Sequence, residues 1–357
     1  MWNPFRAKEN IYVAMSGGVD SSTTAALLKK AGHRVTGVFM RPWAPPGFAC
    51  QWEVERADAE AAAAHIGVPF KVWDFSAIYG DDIAAPMMDG YRAGITPNPD
   101  VECNRLIKFG AFFERAMEEG ADAIATGHYA RLVRRGDRHL IAEAADDNKD
   151  QTYFLWRTPA DVLPKVRFPL SGMTKPRVRA LARRMKLPVA DKKDSQGVCF
   201  IGKLHFKSFL EKDIAHVPGT VVHIDGHTVG EHDGAAYYTI GQRHGMNLRD
   251  GHGPYYVVAK DIDRNILVVG DEKDLYGREA KVGAFNWFTE RPGSDERVHV
   301  KIRYRTEAVP ARLGDDDVVR FERPVRAVSS GQSAVIYRDG ALIGGGIILE
   351  DGTLHRA

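Results

Sequence analysis

Ser16, Gly17, Gly18, Asp20 and Ser21 stand together in the stretch IYVAMSGGVDSS, while Cys103 and Cys199 stand apart from them in two polar stretches. Adjacent glycines let a backbone approach an anion with no side chain in the way, and the first turn of a helix aims unpaired N–H groups at it. The hydroxyls of Ser16, Ser21 and Ser22 add donors, so this turn suits phosphate; the plainer alternative is a glycine turn joining a strand to a helix. Asp20 is the unusual member, because a carboxylate repels a polyphosphate unless Mg²⁺ or an amide lies between them. The stretch has neither the Gly-Lys-Ser/Thr ending of a P-loop nor a Gly-x-Gly-x-x-Gly fingerprint, which excludes those two readings.

The cysteines ask for a different chemistry. Pro97, Asn98 and Pro99 within residues 94–104 predict a shaped loop that presents Asp100 and Cys103 just ahead of a helix over 105–119. A thiolate is favoured near a helix amino terminus, so Cys103 is expected to be reactive rather than buried and inert. Cys199 follows Gly197 in a stretch that also holds Lys192 and Lys193, whose ammonium groups stabilise a thiolate. Two such thiols suggest a pair that meets across a site. With Cys50 the count is three, odd and too small for a disulfide scaffold, which points to a reducing compartment.

These residues need a frame. Residues 11–13 read as a strand, 21–30 as a helix closed by Gly32, 34–40 as a second strand, 51–66 as a helix and 68–75 as a third strand. A helix over 81–92 precedes the loop, and a strand over 121–126 runs into Gly127, His128 and Tyr129. This alternation predicts a parallel, doubly wound α/β sheet, with ligands beyond the carboxyl ends of its strands. Met40 and Gly127 lie at such ends; Met40 is a pocket wall or a core side chain, and Gly127 permits close approach. His128 is a base, a phosphate contact or a capped turn.

Further along, residues 131–142 read as a hairpin, and Asn148 to Gln151 precede an aromatic run over 153–156 that suits base stacking or a core. Residues 175–186 form a basic amphipathic helix capped by Thr174, its charged face either solvated or turned to a polyanion. After a short helix over 203–213 the strand signals shorten, as expected of a small β-rich middle domain and a C-terminal antiparallel β-barrel. The expected boundaries are 1–204, 205–277 and 278–357.

Composition bounds the partners. A net charge of +2 among 357 residues excludes nonspecific polyanion binding by bulk charge, so any nucleic-acid surface is local. There is no apolar run of membrane-spanning length and no apolar signal core in residues 1–10, and the expected location is the cytoplasm.

The run from Ser16 to Ser21 resembles the pyrophosphate loop of the ATP pyrophosphatases, which split ATP to adenylate a substrate. Joined with Asn98-Pro99-Asp100, Cys103-Asn104, Ile107-Lys108-Phe109, Thr126 to Tyr129, Asn148 to Gln151, Lys193-Asp194-Ser195, Cys199 to Gly202, Thr239 to Arg243, Arg303-Tyr304-Arg305 and Ser330 to Val335, it resembles the tRNA-specific 2-thiouridylases over nearly the whole chain. Gln196 and His244 stand where that pattern has a small polar residue and a lysine.

The resemblance implies an adenine nucleotide hydrolase-like sheet followed by the two smaller domains. It implies ATP, with Mg²⁺, on Ala14, Met15, Ser16, Gly17, Gly18, Val19, Asp20, Ser21, Met40 and Gly127, and no further metal site. It implies a tRNA whose wobble uridine meets Asn98, Pro99 and Asp100, with further tRNA contacts from His128, Lys149, Asp150, Gln151, Arg303, Tyr304 and Gln332. Sulfur would travel as a persulfide on Cys199, loaded by a cysteine desulfurase or a sulfur-relay protein. Cys103 would act as nucleophile or as the resolving thiol, and Asp100 would manage protons or hold the base. The expected assembly is a monomer. An iron–sulfur cluster on Cys103, Cys199 and Asp100 or Cys50 is a rival for which the chain offers few thiolates. A small-molecule ligase of the same superfamily leaves both cysteines without a role, and an RNA-binding protein with a degenerate site leaves Asp20 unexplained as well.

Overall fold

The computed structural model describes residues 8–45, 52–194, 206–249 and 251–350, so Cys50 and Cys199 lie outside the described residues. The chain divides into two compact units. Unit 1 is Met1–Ile83, Pro99–Lys203 and Asp339–Ile343; unit 2 is Ala84–Asn98, Leu204–Arg338 and Gly344–Ala357.

Unit 1 is built on strands β1 (Asn10–Ala14), β2 (Arg34–Arg41), β3 (Phe70–Asp74), β4 (Ala123–Ala125) and, after a hairpin of β5 (Arg131–Arg135) and β6 (Arg138–Ala142), β7 (Val166–Arg167). The sheet runs β3-β2-β1-β4-β7, and every pair in it is parallel. Helices cover the sheet, which is why the strand interiors are apolar without alternation: Ile11, Tyr12 and Val13 are all buried in β1. Helix α1 (Val19–Lys30) follows β1, and α2 (Trp52–Ile66) packs small residues, Ala59, Ala62 and Ala63, into the core formed with Ile11, Val13, Met15 and Phe39. Because β1 pairs with β2 on one side and β4 on the other, the order reverses there. The crevice outside a reversal point is where open α/β sheets bind ligands.

The stretch expected to be a loop over 94–104 is corrected in its second half. A helix begins at Pro99 (Pro99–Glu102), widens into π-type turns over Cys103–Ala111 and continues as Phe112–Glu118, with its one break at Gly110. Proline suits the first helical position, where its missing N–H would have no partner, and Asp100 and Glu102 favour the first turn electrostatically. Cys103 is therefore inside a helix and fully buried rather than displayed ahead of one.

Unit 2 holds a five-stranded sheet of β8 (Gly219–His223), β9 (Thr228–His232), β10 (Asn247–Leu248), β11 (Tyr256–Asp261) and β12 (Ile266–Gly270), in the order β10-β9-β8-β12-β11. Its core is Val221, Val229, Val257, Leu267 and Val269. Strands β13 (Tyr276–Trp287), β14 (Val298–Lys301), β15 (Val309–Leu313), β16 (Val318–Arg326), β17 (Ser333–Arg338) and β18 (Ala341–Ile348) follow in the order β13-β16-β15-β14-β17-β18. Pairing of β13 with β18 from Val282↔Ile348 to Trp287↔Gly344 closes them into a six-stranded antiparallel barrel. Closure leaves no exposed strand edge.

Residues 84–98 belong to unit 2 although their neighbours on both sides belong to unit 1. The helix Ala85–Arg92 buries Met87, Met88 and Tyr91 and lies against the turn Ala235–Tyr237. Thr96 N donates to the Ser330 carbonyl at 3.0 Å, and Gln332 Nε2 donates to the Thr96 carbonyl at 2.8 Å. Gly331 has no space for a side chain, since an added Cβ would lie 2.3 Å from Ile95 Cγ2.

Candidate active site

The turn between β1 and α1 folds through its serines. Ser16 N donates to Ser21 Oγ at 3.1 Å, and Ser21 Oγ donates to the Gly18 carbonyl at 3.2 Å. Gly17 has φ +71°, and an added Cβ would lie 2.3 Å from the Glu55 carbonyl oxygen of α2, so both conformation and space require glycine. Gly18 precedes the first helical residue and no side chain caps the helix, which leaves the N–H groups of the first turn without intrahelical partners. Gly127, beyond β4, closes on the same turn: an added Cβ would lie 2.9 Å from Ser21 N. The strand ends on both sides of the reversal point thus meet at the start of α1, and the donor set fits a polyphosphate.

Asp20 is neutralised from within the chain. Tyr129 Oη donates to its Oδ1 at 2.9 Å and Lys175 Nζ to its Oδ2 at 2.6 Å. Burial, with the charge of Asp20 beside it, pushes the Tyr129 phenol far above its ordinary value, so Tyr129 stays protonated and donates to Asp20. Lys175 is 8% exposed and also lies 2.8 Å from Asp194 Oδ1. Asp194 receives Lys149 Nζ on Oδ2 and Arg179 Nη2 on Oδ1, each at 2.6 Å. Burial alone would raise the Asp194 carboxyl; hydrogen bonds from Lys149 and Lys175, with their charges, override it and hold it at about 2. Lys192 Nζ reaches the Gly17 carbonyl at 3.1 Å and Asp58 Oδ2 at 2.6 Å. Among the described residues, the cations Lys149, Lys175, Arg179 and Lys192 therefore interlock with the carboxylates Asp20, Asp58 and Asp194 beside a phosphate-type turn.

Lys175 and Arg179 come from the helix Lys175–Arg184, whose charged face the sequence left as solvated or polyanion-binding. Its first turn instead serves the loop of α1. Thr174 occupies the N-cap position but makes no side-chain cap; Asp146 Oδ2 accepts from Lys175 N at 2.7 Å in its stead.

Residues 9–203 match a family model described as a tRNA methyl transferase HUP domain, 207–271 a tRNA methyl transferase PRC-barrel domain, and 278–348 an aminomethyltransferase beta-barrel domain. The tRNA-specific 2-thiouridylase MnmA of Pseudoalteromonas translucida is 42% identical over 353 residues, covering 95% of this chain and 96% of that protein. Its counterpart in Bacillus cytotoxicus is 40% identical over 358 residues, covering 98% and 96%. The chain belongs to the tRNA-specific 2-thiouridylase family. Among solved structures, the U34-tRNA thiolase NcsA from Methanococcus maripaludis aligns with 57% of this 2-thiouridylase chain and 64% of its own, at 18% identity and a TM-score of 0.36, too distant to bear on the site.

Within this member of the 2-thiouridylase family, the other sequence candidates fall in several places. Ala14 and Met15 are buried under the turn, Val19 opens α1, and Met40 is half-buried at the end of β2. His128 is buried between the rings of Phe109 and Phe168, with Nδ1 2.7 Å from Thr126 Oγ1. Asp150 is buried and accepts from Ala144 N at 2.8 Å, while Gln151 Oε1 accepts from Tyr129 N at 3.0 Å and so braces the turn that carries Tyr129. Asn98 lies in unit 2, and Pro99, Asp100 and Cys103 in unit 1. Arg303 Nη2 donates to the Ile240 carbonyl at 2.7 Å and to Ser329 Oγ at 3.1 Å, Tyr304 is half-buried beside Arg305, and Gln332 holds Thr96. Among the described residues, the grouping with metal-ligand spacing is His223, Asp225 and His227 at the β8–β9 turn, which includes none of the candidates.

Sequence reasoning passed over Asp146, Lys175 and Arg179 as parts of the site, and met Tyr129 and Asp194 only within the motifs that carry the resemblance. Lys175 and Asp20 are 155 residues apart, and a pattern read over one or two helical turns does not join them. The one local signal was Asp20 itself, a carboxylate in a phosphate turn that requires a counter-ion.

Proposed function

We propose that this protein uses ATP to thiolate the wobble uridine of tRNA at C2. The observation that carries the reading is the uncapped start of α1 behind Ser16, Gly17 and Gly18, at the reversal point of a parallel sheet and beside the side chains of Lys149, Lys175 and Lys192. Such a site binds a polyphosphate through first-turn N–H groups and hydroxyls, and Asp20 offers a hard oxygen for Mg²⁺, which would offset phosphate charge when bound.

In this reading O2 of the uridine attacks the α-phosphorus of ATP and pyrophosphate leaves, which turns a poor leaving group into AMP. The terminal sulfur of a Cys199 persulfide attacks C2, and AMP departs with the former O2. The Cys103 thiolate then attacks Cys199 Sγ, the S–S bond to the transferred sulfur breaks, and 2-thiouridine is released with a Cys103–Cys199 disulfide that an external thiol must reduce. Attack by Cys103 on C2 itself is the variant of this step. Asn98, Pro99 and Asp100 hold an unstacked base, with Asp100 managing protons. The tRNA contacts proposed for the chain are His128, Lys149, Asp150, Gln151, Arg303, Tyr304 and Gln332. The sulfur comes from a cysteine desulfurase or a relay protein. The burial of Cys103 adds a requirement: its helix start must open for sulfur transfer.

Single-turnover thiolation of an unmodified tRNA transcript with ATP and a persulfide source, read by nucleoside mass spectrometry, tests this. Thiouridine is expected from wild type and none from Cys199→Ser or Cys103→Ser, with AMP still released by both. Normal thiolation by Cys199→Ser would overturn the persulfide assignment, and AMP without thiouridine from wild type would favour a small-molecule ligase.

A further inference from the structure

We propose that Lys175 is a positioning residue that stands in for the Mg²⁺·ATP complex: it neutralises Asp20 while the loop carries no nucleotide, and passes to the polyphosphate when nucleotide and cation arrive together. The inference rests on the ATP reading above and adds a residue and an order of events to it.

Asp20 lies in the first turn of α1, where a carboxylate opposes the phosphate that the turn is otherwise built to receive. Its Oδ2 is 2.6 Å from Lys175 Nζ. That ammonium is nearly enclosed, so the pair is strong, and removing one member without a replacement would strand a charge in a poorly hydrated place. Asp194, shared with Lys149 and Arg179, does not by itself neutralise Lys175, so two replacements are favoured together, a cation for Asp20 and an anion for Lys175, and Mg²⁺ with a polyphosphate supplies both. Either alone meets a partner already taken.

The surroundings fit an exchange rather than a fixed bridge. Lys175 Nζ has a second carboxylate, Asp194 Oδ1 at 2.8 Å, which keeps the ammonium beside the loop after Asp20 lets go. Asp194 is itself fastened by Lys149 and Arg179 and does not follow. Tyr129 Oη holds the other oxygen of Asp20, so the carboxylate stays oriented while its partner changes. Lysine is the side chain for this task, a compact charge on a flexible stem that binds phosphate as a point charge.

Two binding measurements on the full chain test it: Mn²⁺ alone by electron paramagnetic resonance, and MgATP by calorimetry. Wild type is expected to bind MgATP and to bind Mn²⁺ weakly without nucleotide. Lys175→Met should bind MgATP about tenfold or more weakly and Mn²⁺ alone about tenfold more tightly, because Asp20 is released. The double variant Asp20→Asn with Lys175→Met should lose that gain. Should Lys175→Met not fold, Lys175→Gln serves: it keeps a hydrogen-bond donor beside Asp20 without the charge, and the same two shifts are expected of it. Wild-type MgATP affinity in Lys175→Met, or in Lys175→Gln, would overturn the exchange and leave Lys175 a structural ion pair. Failure of wild type itself to bind MgATP would overturn the ATP reading instead.

Discussion

His128 is the residue whose setting most restricts its chemistry. Burial, with the charge of Lys108 adding to it, drives its pKa well below the ordinary imidazole value of 6.5, so the ring is neutral at physiological pH and braces Phe109 and Phe168. A histidine with a depressed folded-state value contributes stability that is complete above its unfolded value and is lost as pH falls toward the folded one. Wild type should therefore lose stability relative to His128→Asn between about pH 7 and pH 5, by up to about 1.4 kcal/mol per unit, in urea unfolding at a series of pH values. A difference that does not change with pH would show the ring titrating normally. At this scale the sequence was legible where chemistry is local. Ser16 to Ser21 could be read as a phosphate turn because helix start, glycines and hydroxyls are adjacent. Cys103 could not be read as buried, because its burial follows from a helix starting at Pro99, and the two prolines hid that start.

Among elements, the helix Lys175–Arg184 shows how a cap can come from elsewhere in the chain. Thr174 has the right residue type and position, yet Asp146, 29 residues away, accepts from Lys175 N. Asp146→Ala should cost about 1 kcal/mol, the usual worth of a cap, and should also weaken MgATP binding, since the first turn it holds carries Lys175. Thermal unfolding and calorimetry on the same variant check both; equal loss from Thr174→Ala would return the cap to Thr174. The strands and helices of the sheet were legible from their periods, and the barrel from short strands and regular turns. What pattern could not supply was the function of the basic helix face, because Lys175 and Arg179 have their partners on other elements.

For the whole molecule, the family models divide the chain at residues 203 to 207, but the contacts divide it differently, lending residues 84–98 to unit 2. A fragment of residues 1–203 would keep that segment and lose what covers it. Met87, Met88 and Tyr91 would then lose burial, and such a fragment should bind a hydrophobic dye and unfold less cooperatively than the full chain. A fragment that melts as sharply as the full chain, without dye binding, would show the segment to be self-sufficient. Sequence composition suggested boundaries in order along the chain, since a loan of fifteen residues to a distant partner leaves no compositional mark.

That loan also sets a clock. Thr96 is held by Gln332, 236 residues further on. At roughly 5–20 residues per second a ribosome needs about 10 to 50 seconds to make that interval. For that time the stretch leading into Asn98 and the helix of Cys103 waits on the nascent chain without its anchor, and it is seated only after Gln332 has been made.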